Sequence, residues 1–154
     1  MTWEIIGGVV VALAAGGFIV TRLNWFKVRK YAIDMKQVYD RHKDIQEKTE
    51  ALQAMGQNAP QVLMKQRLRE LIAAMQSLIA DMDKVKAPEG TRELHKETLT
   101  MHKESLELYQ VMLAGGMGQK ALEGRQKRLM KMQTGVQART EKIYGKPKEK
   151  KKKS

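Results

Sequence analysis

Between Val28 and Ile143 apolar residues recur at alternating steps of three and four, the spacing of one face of an α-helix, and the pattern breaks off and restarts three times. The first run passes through Val28, Tyr31, Met35, Val38, His42, Ile45, Thr49 and Leu52 and halts at Met55-Gly56-Gln57-Asn58. The second starts at Pro60, a residue suited to a first helical turn because its missing N–H would find no partner there. It continues through Met64, Leu68, Leu71, Met75, Leu78, Met82 and Val85, widened by Ile72 and Ile79, and ends at Ala87-Pro88-Glu89-Gly90. The third carries Leu94, Leu99, Met101, Leu106, Leu108, Tyr109, Met112 and Leu113 and stops at Ala114-Gly115-Gly116-Met117-Gly118. In the fourth, residues 119–144, Leu122, Leu129, Val136 and Ile143 form one row, but the companion row holds Arg125, Met132 and Arg139. Half a seam predicts the most weakly docked helix of the set.

The four segments are nearly equal in length, about 28, 28, 27 and 26 residues, and links this short force neighbouring helices antiparallel. The expected fold is all-α, an antiparallel up-down-up-down four-helix bundle over residues 27–144. The alternative is a three-helix bundle with a loosely docked fourth helix. The seams resemble a coiled coil, but the stripe on the second helix is wider than two heptad positions and suits a multi-helix core. Nothing in this region has the period-two, β-branched character of a strand. The chain has no cysteine, which excludes disulfides and thiolate metal sites.

Ahead of the bundle lies a stretch of a different kind. Ile5 to Val20 reads IIGGVVVALAAGGFIV, without a charged side chain, and Trp3 and Trp25 flank it. Counted between those aromatics it would reach roughly 33 Å as a helix, close to a bilayer's hydrocarbon thickness plus its interfacial belts. Residues 1–26 are therefore expected to form a single transmembrane anchor. A cleaved signal peptide fits less well, because no basic residue precedes the apolar run, and a buried hairpin helix is the other alternative. Arg22, Lys27, Arg29 and Lys30 follow the run, so the positive-inside rule places the N-terminus outside and the bundle in the cytoplasm of what reads as a bacterial inner membrane. Gly8, Ala12 and Gly16 form a small-xxx-small row at which a second membrane helix could pack.

Charge is uneven. Of a net +12, residues 119–154 hold thirteen Lys and Arg against three Glu, whereas residues 1–118 hold sixteen against fourteen acids. Residues 145–154 read as a disordered polybasic tail carrying Lys146, Lys148, Lys150, Lys151, Lys152 and Lys153. Its candidate partners are anionic lipid headgroups, nucleic acid or an acidic protein. Only Tyr144 is available for base stacking in the basic quarter, which weighs against single-stranded nucleic acid.

Candidate chemistry is sparse. There is no phosphate-binding glycine loop on a strand, no nucleophile elbow and no zinc-protease motif. His42 and His102 are the unusual polar residues within seams, with His95 two turns from His102 on its face. Counted from Val28 and Pro88 they fall at one height, near Ala73 and Ala74, and are expected to form a polar layer that fixes register or to sit at the stripe's edge with their tips in water. A metal at His42 and His102 is the lesser candidate, since a site needs further ligands. No cofactor is expected. Eleven Met, mostly on seams, read as core filler.

The layout of a short outside N-terminus, one span and a helical bundle resembles single-span bacterial membrane proteins of the LemA type. The resemblance is one of topology and carries over no functional residue. The expected function is that of a non-enzymatic, membrane-anchored scaffold or adaptor that contacts anionic lipid and a protein partner or second copy. The alternatives are an oligomerising lysis or pore component, and a membrane tether for nucleic acid or an acidic protein.

Overall fold

The computed structural model describes residues 26–41, 43–55 and 59–146. The run Ile5–Val20 with Gly8, Ala12 and Gly16 lies outside them, as do His42, Lys148, Lys150, Lys151, Lys152 and Lys153. Among the described residues no helix is long and apolar enough to cross a membrane.

The described residues are helical and contain no strand: α1 Phe26–Arg41, α2 Lys43–Ala54, α3 Gln61–Lys84, a 3-10 turn Glu89–Thr91, α4 Arg92–Ala114 and α5 Gln119–Tyr144. The breaks follow local chemistry. Pro60 caps α3, and its carbonyl accepts from the Met64 N–H at 3.1 Å. Pro88 opens the 3-10 turn, where both the backbone N–H and the hydroxyl of Thr91 donate to its carbonyl. Gly115 ends α4 in the left-handed region, φ 67°, a conformation that costs a residue without a side chain nothing. The first seam, expected as one helix, is shared by α1 and α2, and its residues Tyr31, Met35, Val38, Ile45, Thr49 and Leu52 are all buried.

Packing follows chain order. α1 and α2 lie on α3, α3 on α4, and α4 on α5. The main core joins Tyr31, Met35, Val38, Ile45 and Leu52 to Leu68, Leu71, Met75, Leu78 and Met82 of α3 and to Tyr109 of α4. No residue of α5 belongs to it. Met101, Leu108 and Leu129 form a second, smaller cluster with Leu122, Met132 and Val136, and Met112 touches both. The main core is thus built by α1 to α4, and α5 is laid along α4. The half seam is the reason: α5 buries only Leu129 among its large apolar residues.

Directions follow from side-chain pairs. Tyr31 meets His95, and Tyr39 meets His102, so α1 and α4 run parallel. Arg125 meets Glu107, Arg128 meets Glu104 and Arg139 meets Glu97, so α5 runs antiparallel to α4. The start of α1 and the end of α5 therefore lie at the same end of the molecule.

Candidate functional site

Two features stand out: a polar row buried on α4, and the end of the molecule where α1 begins and α5 finishes. On α4, His95, His102 and Tyr109 recur every seven residues, and Thr98 and Ser105 occupy the neighbouring row. The hydroxyls satisfy themselves. Thr98 donates to the Leu94 carbonyl at 2.8 Å and Ser105 to the Met101 carbonyl at 2.9 Å, and Thr49 does the same to Ile45 on α2. The His102 ring makes no such bond to its own helix. His102 is fully buried, and neither of its ring nitrogens has a hydrogen-bond partner. Its neighbour is the edge of the Tyr39 ring, 6.3 Å between centroids. The Tyr109 hydroxyl, one heptad on, is also buried and unpaired. Burial lowers the His102 pKa to about 4, so the ring is neutral at pH 7, and burial raises the Tyr39 and Tyr109 phenols.

The sequence places His42 opposite His102, but the structure sets Tyr39 there. The observed pairs, Tyr31 with His95 and Tyr39 with His102, set α4 about one turn along α1 from the register counted from Val28 and Pro88. His42 lies outside the described residues. Among the described residues no three His, Asp or Glu side chains converge as metal ligands. Ala74 is buried in the main core as the small residue expected near this level, while Ala73 is exposed.

At the shared end, the Tyr31 hydroxyl and His95 Nδ1 are 3.1 Å apart, and their rings meet edge to face at 5.6 Å. With Nδ1 accepting from Tyr31, Nε2–H is left to donate to the Met82 carbonyl, which together with Asp83 opposes the lowering of the His95 pKa by burial. The Tyr31 phenol is raised by burial first, then by repulsion from Tyr39 and Tyr144. The Arg139–Glu97 pair sets the last turns of α5 at this same end of α4. Burial pushes Tyr144 up to about 12, and its hydroxyl is buried without a partner. Tyr31 and His95 are thus both driven away from a charge change near pH 7, the opposite of what general acid–base chemistry uses. Just beyond this cluster Gly145 closes α5, its N–H donating to the Glu141 carbonyl at 2.8 Å, and Lys146 stands exposed.

The docking of α5 has a signal that the apolar pattern does not carry. Arg139 makes two 2.7 Å hydrogen bonds to the Glu97 carboxylate, Arg125 one of 2.9 Å to Glu107, and Arg128 lies 3.1 Å from Glu104. The two seam positions that look like faults in an apolar row, Arg125 and Arg139, both pair with glutamates of α4 beside the small apolar cluster. The acids at Glu97, Glu104 and Glu107 of α4 are the matching half of the pattern.

Comparison with family models, with curated proteins and with solved structures gave no match.

Proposed function

We propose that the chain is a membrane-anchored helical scaffold or adaptor without catalytic activity, its bundle on the cytoplasmic side and its polybasic tail in contact with anionic lipid. The observation that carries this is the common end of the molecule. Tyr31 near the start of α1 meets His95 and Arg139 near the close of α5 meets Glu97, both on the first turns of α4, so the apolar run before Phe26 and the lysines after Gly145 attach at the same end of the bundle. An anchor formed by Ile5–Val20 then holds six lysines, against the single Glu149, next to its own leaflet. Each lysine gains roughly 1 kcal/mol at an anionic surface, an attraction that fades within about a Debye length. Since the anchor already secures the protein, this attraction serves to hold the bundle base on acidic lipid and to gather that lipid around the span.

Two treatments of the full chain test the proposal. Membranes washed in high salt and then in alkaline carbonate should retain it, as electrostatic adhesion alone would not. A reporter active only after export, fused behind Ser154, should stay silent. Release by carbonate would remove the anchor, and an active reporter would reverse the orientation.

A further inference from the structure

We propose that the outward face of α5 is a second lipid-contact surface, which lays the bundle on its side along the anionic leaflet. This deepens the anchored reading and rests on it. At about 100° per residue, Lys120, Lys127 and Lys131 fall opposite Leu129 and Val136, with Lys142 at the edge of the same face. All four are exposed, and none of their side chains has an ion pair or hydrogen bond among the described residues. The division of labour within the helix is consistent. Its arginines at 125, 128 and 139 engage the glutamates of α4, and these lysine side chains engage none of the described residues.

Between the lysines stand Gly124, Gly135 and Ala138, all exposed. A Cβ at either glycine would meet nothing within 4 Å, so packing inside the molecule does not require them. Each costs a helix more than alanine would. Together they leave a flat, side-chain-poor strip from which lysines can splay onto a plane. No large apolar residue lies at the centre of the strip, so contact stays at headgroup level and depends on salt. Glu123 and Glu141 border it and are engaged by Gln119 and Gln137.

The leaflet is the occupant that the geometry favours because it is always within reach. The face leads towards Lys146, at the end of the molecule where α1 begins. A tethered surface needs only weak contacts, since the anchor makes docking intramolecular. Each lysine at the surface multiplies the docked population by about fivefold. A bundle standing upright would hold Gly124 roughly 30 Å above the leaflet, several Debye lengths away. A bundle lying on this face would bring it within about 10 Å.

The absence of native cysteine makes the test direct. The full chain carrying Gly124→Cys is labelled with a donor dye and reconstituted into phosphatidylcholine vesicles with or without phosphatidylglycerol, with an acceptor on the headgroups. Val62→Cys serves as reference, because Val62 is 81% exposed at the start of α3, a helix that does not support α5. Docking predicts strong transfer from position 124 and weak transfer from 62 in anionic vesicles at low salt. Transfer from 124 should fall to the phosphatidylcholine value in high salt and in the Lys120→Gln, Lys127→Gln, Lys131→Gln, Lys142→Gln variant, whose melting temperature should be unchanged. A chain that stays in the vesicles with 124 as remote as 62 overturns the docking alone. A chain that floats free in high salt removes the anchor, and the docking with it. Displacement of 124 from the anionic leaflet by an equimolar single-stranded oligonucleotide would make the face a nucleic-acid site instead.

Discussion

His102 is the residue most at odds with its surroundings. Its volume fits the core, but its two ring nitrogens pair with nothing, and an unmet buried polar atom costs about 1–3 kcal/mol. Replacing it with Leu should therefore raise stability at pH 7 by about 1–3 kcal/mol, read from denaturant midpoints; a loss of similar size would mean that the ring is bonded after all. The pH dependence follows from the lowered pKa of about 4, against 6.5 for a free imidazole. The unfolded chain takes up the proton first, so the contribution is complete above about pH 6.5 and is lost as pH falls towards 4. It amounts to about 3 kcal/mol. His95, also lowered by burial, works in the same direction, so the check is the difference between wild type and His102→Leu across that window. The seam position of His102 was legible, but it left both burial and a wet-tipped place at the stripe's edge open. Its neighbour was not legible, because periodicity tells which residues of a helix face inward and not how two helices are aligned end to end.

Among the elements, α5 shows how far an apolar pattern reaches. Its bounds, 119–144, follow from the glycines on either side, and its weak docking follows from the half seam of Leu122, Leu129, Val136 and Ile143. What holds it in place, the pairing of Arg125, Arg128 and Arg139 with glutamates of α4, is invisible to a scan for apolar spacing, although the charges stand in the sequence at matching intervals. The consequence is a helix of different stability from the rest. Amides of α5 should exchange faster than those of α3, whose Leu71, Met75, Leu78 and Met82 are fully buried, and added salt should speed α5 selectively by screening its exposed ion pairs. Equal protection of α3 and α5 at high salt would mean that the small cluster around Leu129 suffices by itself.

For the molecule as a whole, the account turns on one relation: the chain enters and leaves the bundle at the same end. The even number of helical passes implied it, and the pairs Tyr31–His95 and Arg139–Glu97 realise it through their side chains. Both the delivery of the tail to the leaflet and the docking of α5 depend on it. With no native cysteine to remove, spin labels can be placed at Arg29 and Lys146, and in a second sample at Arg29 and Gly118, all exposed. Because α5 spans about 39 Å, electron–electron distances should be clearly shorter for the 29–146 pair than for the 29–118 pair. A 29–146 distance equal to or longer than the 29–118 distance would contradict the arrangement, and with it the reading of the tail as a membrane-facing device.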